Sequence, residues 1–225
     1  MNAVSSIFFL LIFIAVNLRA QTTVQIGPFT ELDVTDKLNV TFIPSEDNYV
    51  AIEGELADKV EVIQKSDKLR IKMAGGYPLK GANTFISIYA PHIKRFTVQK
   101  GAIVQTEGHK VQADSLTIWV NEGGKIDVEI EAGHVDVNST TGGIVALRGT
   151  SETQSVNLTF GGNYYGEGLQ AKRSIARVNG GGLCEMRSSV SVDAQTRAGG
   201  AIKVYGNPSE RKQRRFAGGK ILFID

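Results

Sequence analysis

The chain has 225 residues, of which 42% are hydrophobic, and its formal net charge is +2 at neutral pH. This length and apolar content support one sizeable core and do not clearly support two. The near-neutral charge and the export predicted below give no reason to expect a nucleic-acid partner. Cys184 is the single cysteine, which excludes an internal disulfide.

The first 20 residues are predicted to form a signal peptide. An apolar run extends without interruption from Ile7 to Val16, which is the length of a signal-peptide core and too short for a confident membrane span. We expect cleavage after Ala20, which leaves Gln21 at the new terminus and no integral membrane segment. A retained membrane anchor and a buried core helix are the alternatives. No cysteine follows the run, so a lipid-anchored form is not expected.

Residues 21–122 are predicted to be rich in strands that follow no fixed period. Turn residues such as Gly75-Gly76 and Pro91 separate short apolar runs. The expected strands are Phe29–Val34, Leu38–Ile43, Tyr49–Glu53, Val60–Ile63, Leu69–Met73, Phe85–Tyr89, Phe96–Val98 and Val111–Trp119. The segment Gly101–Glu122 indicates an irregular coil that leads into a regular array.

From residue 123 onward, a pair of glycines recurs every 19 residues. A fixed period of this length is typical of solenoids and other repeat proteins. The pairs begin at Gly123, Gly142, Gly161, Gly180, Gly199 and Gly218. Because glycine adopts positive φ without steric cost, each pair is predicted to form a structural corner.

Two apolar columns keep the same phase as the glycines. The first is Ile126, Val145, Tyr164, Leu183, Ile202 and Ile221, and the second is Val137, Val156, Ile175 and Ala194, ending at Gln213. Two short strands per unit that face one core predict an all-β parallel β-helix, with regular coils over 123–225 and irregular coils over 21–122. We expect residues 21–225 to form a single domain.

No cofactor or metal ion is predicted. A periodic calcium site would need an acid in each unit, but only Asp127 occupies that position, and Ala146, Tyr165, Cys184 and Lys203 occupy it later. The glycine-rich segment 161–168 precedes no helix-forming run, so a phosphate would find no helix N-terminus. Cys184 has no histidine nearby in sequence and is expected to be a buried, inert thiol.

No catalytic residue is predicted either. A polysaccharide lyase on this fold would need clustered acids or a basic residue on one face. The acids of the central region are scattered: Glu107, Asp114, Glu122, Asp127, Glu129, Glu131 and Asp136. Exposed aromatic residues could bind sugar instead. Tyr164 belongs to an apolar column and is expected in the core. The sequence does not decide whether Trp119 points into the core or outward.

Charge is distributed unevenly along the chain. Residues 21–160 carry 13 Lys or Arg and 18 Asp or Glu, whereas residues 161–225 carry 11 and 5. The candidate site for an anionic ligand is Arg173, Arg177, Arg211, Lys212, Arg214 and Arg215. With a 38-residue double period, Arg173 would stack below Arg211, and Arg177 below Arg215. The alternative is a solvated cluster that keeps the end of the stack from pairing with other chains.

The mature sequence resembles the family of putative auto-transporter adhesins with a head GIN domain, a domain of unknown function. The resemblance rests on Pro28-Phe29, Leu38–Thr41, Ala90–Ile93, Gly206–Pro208 and Gly218–Ile221. It implies a right-handed parallel β-helix in an exported bacterial protein, of a kind frequent in Bacteroidetes. Family members have Ser-Gly-x-Gly at their corners, whereas this chain has Gly-Gly.

These observations favour a non-catalytic, exported protein of the cell envelope that acts as an adhesin or binds a ligand. A cell-surface glycan and an envelope protein are the expected partners, and the periplasm, the outer surface and the medium are the expected locations. The second hypothesis is a structural scaffold that associates with itself through the open ends of the coil. The third is an enzyme that acts on polysaccharide.

Overall fold

The computed structural model describes residues 22–224. The predicted signal peptide and its cleavage site lie outside the described residues. Two short 3-10 helices, Ala57–Lys59 and Gly81–Asn83, interrupt a chain that is otherwise strand and turn.

Eight short strands form the first half of the chain, and each expected strand of that half overlaps an observed one. They are β1 (Thr22–Gln25), β2 (Glu31–Val34), β3 (Asn39–Pro44), β4 (Tyr49–Gly54), β5 (Val60–Lys65), β6 (Lys68–Met73), β7 (Thr84–Ala90) and β8 (Arg95–Val98).

Longer strands follow, because each continues around a bend while it stays paired with its neighbours. They are β9 (Ile103–Val120), β10 (Lys125–Thr140), β11 (Ile144–Thr159), β12 (Asn163–Asn179), β13 (Leu183–Arg197), β14 (Ala201–Tyr205), β15 (Glu210–Phe216) and β16 (Lys220–Ile224). Together the strands form a β-solenoid of about seven turns, which confirms the predicted fold class.

The solenoid has two stacks of strands, which we call arm 1 and arm 2. Arm 1 runs in the order β1-β4-β7-β3 and then through the first halves of β9 to β13 to β14 and β16. Arm 2 runs in the order β5-β6-β2-β8 and then through the second halves of β9 to β13 to β15. All neighbours are parallel except β1–β4, β4–β7 and β5–β6, which lie at the N-terminal end.

The side chains that point between the two arms form one continuous core. In β10, Ile126, Val128 and Ile130 are buried in arm 1, and Val135 and Val137 are buried in arm 2. Their sequence neighbours point outward, as the period-two alternation of a strand requires. The buried cluster extends from Phe29 near the N-terminal end to Val204 in β14.

The glycine pairs form corners for two separate physical reasons. The first glycine of each pair has positive φ, from 72° at Gly142 to 94° at Gly218. In five of the six pairs the second glycine packs against the preceding coil: a Cβ on Gly143 would lie 2.6 Å from the carbonyl oxygen of Val120. In the fourth pair Gly182, one residue later, makes this close approach. A larger residue at the second position would therefore push two coils apart.

The strand register departs from the constant 19-residue period around β12. Tyr164 lies beside Cys184 rather than Leu183, and Cys184 lies beside Ile202. In arm 2, Val156 lies beside Ala176, so Ile175 points outward and is 45% exposed. The predictions that Leu183 and Ile175 belong to the core columns are therefore wrong. In arm 2, paired residues are 20 apart between β11 and β12 and 18 apart between β12 and β13. Because the two changes cancel, the glycine pairs keep their 19-residue spacing and conceal the shift.

The bulky side chain of Tyr164 occurs where this register shift begins. The ring is fully buried, and its hydroxyl donates a hydrogen bond of 2.7 Å to Oε1 of Gln154. The Gln154 amide in turn donates to Ser174 Oγ and to the carbonyl oxygen of Arg187. A Cβ on Gly166 would lie 2.2 Å from the Tyr164 hydroxyl oxygen. A glycine and an extra residue in this coil give the ring its space.

We expect Gly166→Ala to lower the free energy of unfolding by about 1–3 kcal/mol, because the new methyl group overpacks the site of the Tyr164 ring. Urea unfolding followed by circular dichroism measures the change. Gly75→Ala is the control, because its Cβ would meet no atom within 4 Å. Equal stability of the two variants would contradict this account of the register shift.

Candidate functional site

The register shift changes how the predicted basic residues stack. Arg173 lies beside Ser191, which lies beside Glu210, and Arg177 lies beside Gln195, which lies beside Arg214. The predictions that Arg173 stacks on Arg211 and Arg177 on Arg215 are therefore wrong by one residue. The reason is that arm 2 advances by 18 residues from β12 to β13, whereas the sequence period implies 19.

The basic strand β15 directs its side chains in two directions. Arg211, Gln213 and Arg215 lie beside the buried residues Val192, Ala194 and Thr196. These three side chains thus continue the inward columns beyond the last buried layer of the core. The Arg211 guanidinium lies 4.5 Å from the ring centre of Phe223 in a cation–π contact. Two of the six predicted site residues, Arg211 and Arg215, therefore cover the end of the core.

The outward residues Arg177 and Arg214 both bind Asp193. Arg177 Nη2 lies 3.1 Å and Arg214 Nη2 lies 3.0 Å from Asp193 Oδ2. Partial burial alone raises the pKa of Asp193, but the hydrogen bonds and charges of the two guanidiniums outweigh it and hold the pKa below its ordinary value. The cluster holds two cations around one anion, so one positive charge remains.

The outward face of arm 2 presents three columns of side chains that run along the solenoid axis. The first column is Ser115, His134, Thr153, Arg173, Ser191 and Glu210; the second is Thr117, Asp136, Ser155, Ile175, Asp193 and Lys212; the third is Trp119, Asn138, Asn157, Arg177, Gln195 and Arg214. Trp119 is 48% exposed, which settles its orientation. Hydroxyl, amide and guanidinium groups dominate this face.

A groove of about 300 Å³ lies between the first two columns. Arg173 and Lys212 line it together with His134, whose Nδ1 lies 2.7 Å from Thr153 Oγ1, and with the exposed Ile175. Neither Arg173 nor Lys212 forms an ion pair with a residue of the described chain. We call this feature the arm 2 groove; it joins two free cations to a small apolar surface.

A wider groove of about 930 Å³ follows the bend between the two arms. Small residues form its central row, namely Ala113, Ala132, Ser151 and Ala171, which are neighbours in successive strands. Larger polar residues such as Gln112, Glu131, Gln170 and Arg187 line one side. This corner groove crosses β9 to β13, which corresponds to a length of about 20 Å at the usual strand spacing.

Arm 1 differs from arm 2 in how its outward charges are used. Arg148 Nη1 lies 2.6 Å from Asp127 Oδ1, and Lys203 Nζ lies 2.7 Å from Glu185 Oε1. Lys110 lies between Glu129 and Glu131. These charges neutralise each other across neighbouring coils. The grooves of the bend and of arm 2 therefore offer the better surface for a ligand.

The structure gives no functional role to the other candidates of the sequence analysis, namely the thiol, a metal site and the glycine-rich segment. Burial raises the pKa of the Cys184 thiol, which keeps it protonated and unreactive at neutral pH. Between residues 22 and 224, no three His, Cys, Asp or Glu side chains are grouped so that they could hold a metal ion. The segment 161–168 forms a corner and the start of β12.

Sequence reasoning missed Asp193 and the entire corner groove. Asp193 carries no local signal, because its partners come from the coils before and after it. Three of the small residues of the groove, Ala113, Ala132 and Ser151, keep the 19-residue period, but they mark no apolar column. Only knowledge of the register would have added Ala171, which lies 20 residues after Ser151.

A parallel β-solenoid with polar grooves along its lateral surface is the class of protein that this fold and site define. Residues 28–208 match the family described as putative auto-transporter adhesin, head GIN domain, and the chain belongs to this family. No match was found among curated proteins.

Several solved structures share the fold. One is a putative adhesin from Bacteroides fragilis, with 21% identity, a TM-score of 0.85, and coverage of 92% of this chain and 98% of its own. A putative adhesin from Parabacteroides merdae has 14% identity, a TM-score of 0.70, and coverage of 93% and 98%. A putative lipid binding protein from Parabacteroides distasonis has 14% identity, a TM-score of 0.66, and coverage of 92% and 97%. At these identities the likeness shows the fold alone.

Over residues 22–224, no helix is long and apolar enough to cross a membrane.

We expect Asp193→Asn to lower the free energy of unfolding by about 1 kcal/mol at neutral pH, because it removes the anion between two guanidiniums. The folded-state pKa of Asp193 lies below its ordinary value of 3.8, so the wild-type advantage is complete above that value. It is lost as the pH falls through the lower, folded-state pKa. Urea unfolding of both proteins at neutral pH and near pH 3 measures this difference.

Asp127→Asn is the matched control, because the ion pair of Asp127 with Arg148 is about half exposed on both sides. We expect it to change stability less than Asp193→Asn. A difference between wild type and Asp193→Asn that stays constant into strong acid would contradict the assigned pairing.

Proposed function

We propose that this protein is a non-catalytic, exported adhesin of the cell envelope that binds an extended, anionic glycan along its lateral surface. The glycan lies along the corner groove, and its acidic groups reach the arm 2 groove. The observation that carries the proposal is the continuity of the two grooves: Gly133 and His134, Glu152 and Thr153, and Lys172 and Arg173 are consecutive residues that line one groove and then the other.

The shape of the corner groove supports an elongated ligand. It crosses five successive strands and is open to solvent along its length, whereas a small metabolite would need an enclosed cavity. Solenoids commonly use such extended lateral surfaces for binding. The amides of Gln112 and Gln170 on one side and the hydroxyl of Ser189 on the other match the hydrogen-bonding groups of a sugar chain. Carboxylates such as Glu131 and Glu152 also line this groove, so the acidic groups of the glycan are directed to the arm 2 groove instead.

The charges of the arm 2 groove support an acidic ligand. Arg173 and Lys212 are free to pair with a carboxylate or sulfate, and the Asp193 cluster adds one net positive charge beside them. Glu210 also lines this groove and limits the net charge. Arg173, Arg177, Lys212 and Arg214 thus form the ligand-facing part of the site, whereas Arg211 and Arg215 cover the end of the core.

Export is supported by the apolar run of the first 20 residues and by membership of an adhesin family. The protein would then act in the periplasm, at the outer surface or in the medium, where a polysaccharide partner is available. The absence of disulfides is compatible with this location, because the stacked coils and their single core supply the stability.

The binding test uses immobilised polygalacturonate as a carboxylated polysaccharide and dextran as a neutral one. We expect the protein to bind polygalacturonate, more weakly at high salt, and not dextran. Arg173→Gln/Lys212→Gln should weaken binding by about tenfold or more, because two charge-assisted contacts are lost.

The matched control is Lys94→Gln/Lys125→Gln, which removes the same charge from exposed positions outside both grooves. Equal losses in both double variants would show that only net charge matters and would refute the assigned site. Failure to bind polygalacturonate and dextran sulfate alike would refute an anionic glycan as the ligand.

A further inference from the structure

Each end of the solenoid has two strands with a free edge. At the N-terminal end, β1 pairs only with β4 and β5 pairs only with β6 within residues 22–224. At the C-terminal end, β15 pairs only with β13 and β16 only with β14 in the same part of the chain. Each end therefore offers one free edge from arm 1 and one from arm 2. Free edges are templates for pairing with another chain.

The N-terminal end is acidic. Residues 22–73, which include β6 beside the end strand β5, contain ten Asp or Glu and six Lys or Arg, a formal net charge of −4. Glu46, Asp47, Glu53 and Glu55 are exposed and form no ion pair with a described residue. Glu53 lies just beyond the part of β4 that β1 covers, and Glu55 precedes the 3-10 helix that crosses between the two arms.

The C-terminal end is basic. Residues 198–224 contain six Lys or Arg and one Asp or Glu, a formal net charge of +5. Lys212, Arg215 and Lys220 are exposed, and none forms an ion pair within the described chain. All seven residues of β15 are exposed to solvent.

The arm 1 edge at this end carries little protection against pairing. After Lys220, β16 reads Ile221, Leu222, Phe223 and Ile224, without a charge, a proline or a glycine. Leu222 is 47% exposed. Native proteins usually protect such an edge with charges, prolines or bulges. The cations of β15 lie on the other arm. They therefore favour an acidic partner at this end, while the edge of β16 stays free to pair with a strand.

The charges decide between the two ways in which copies of the chain could meet. Contact between two C-terminal ends would place +5 against +5, and contact between two N-terminal ends would place −4 against −4. Contact between unlike ends brings opposite charges together and joins arm 1 to arm 1 and arm 2 to arm 2. We propose that the C-terminal end, formed by β15 and β16, docks onto the acidic N-terminal end of a second copy of this chain.

Such a contact is heterologous, because each copy uses a different surface. A heterologous contact that does not close into a ring produces a linear array. Successive solenoids would then extend the lateral grooves along a common direction. This inference concerns the ends of the solenoid and does not depend on the glycan proposed for its side.

Sedimentation velocity of the exported protein, produced from the full chain so that the host processes it, gives the first test. We expect species larger than the monomer whose share rises with protein concentration and falls with salt, since the attraction between the ends is electrostatic. A monomer at every concentration in low salt would overturn the proposal.

Charge-reversal variants give the second test. Glu53→Lys/Glu55→Lys alters only the N-terminal end, and Arg215→Glu/Lys220→Glu alters only the C-terminal end, since neither Arg215 nor Lys220 lines a lateral groove. We expect each variant alone to sediment as a monomer. A mixture of the two should form a 1:1 heterodimer, because the first keeps an intact C-terminal end and the second keeps an intact N-terminal end. Lys94→Glu/Lys125→Glu, with equal charge reversal on the side of the solenoid, should associate like wild type.

These variants distinguish a heterologous contact, between unlike ends, from an isologous contact, between like ends. If two C-terminal ends met, the N-terminal variant alone would still dimerise, and that result would overturn the proposal. Circular dichroism and thermal unfolding of each variant establish that it is folded. Binding to polygalacturonate by the N-terminal variant should stay unchanged, so a loss of docking is distinguishable from a loss of the lateral site.

Discussion

The parallel register between successive coils is the constraint on which the rest of the structure depends. Each strand in the middle of the chain hydrogen-bonds to the coil before it and the coil after it, so every coil must follow nearly the same backbone path. Side chains at equivalent positions consequently stack in columns, buried on one side and exposed on the other. The glycine pairs serve this requirement, since a Cβ at Gly143 or Gly162 would collide with a carbonyl oxygen of the preceding coil.

A core residue indirectly shapes the exposed surface. Tyr164 is larger than the valine, isoleucine and cysteine of its column, and its hydroxyl needs a partner, which Gln154 provides. The coil that holds it gains one residue, and the next coil loses it again. In arm 2 this offset brings Arg177 and Arg214 into one column, where both reach Asp193, and it turns Ile175 outward into a groove.

A solenoid also has to end, and the two ends of this one are built differently. At the N-terminal end, antiparallel strands and the segment around Leu56 and Ala57 pack against the core. At the C-terminal end, Arg211 and Arg215 of β15 take the inward positions that a valine and a threonine occupy one coil earlier. The same strand thus ends the core and concentrates positive charge, which is why its cations do not all belong to one lateral site.

The sequence by itself determined the strands, the corners and the solenoid, because these depend on local alternation and on the steric freedom of glycine at a constant spacing. It also located the basic residues and the core position of Tyr164. Only the tertiary structure decided which side chains are neighbours: Cys184 rather than Leu183 follows Tyr164, and Asp193 lies between Arg177 and Arg214. The physical reason is that register is a property of paired backbones, and a shift of one residue turns each side chain to the opposite face of its strand while leaving the glycine period unchanged.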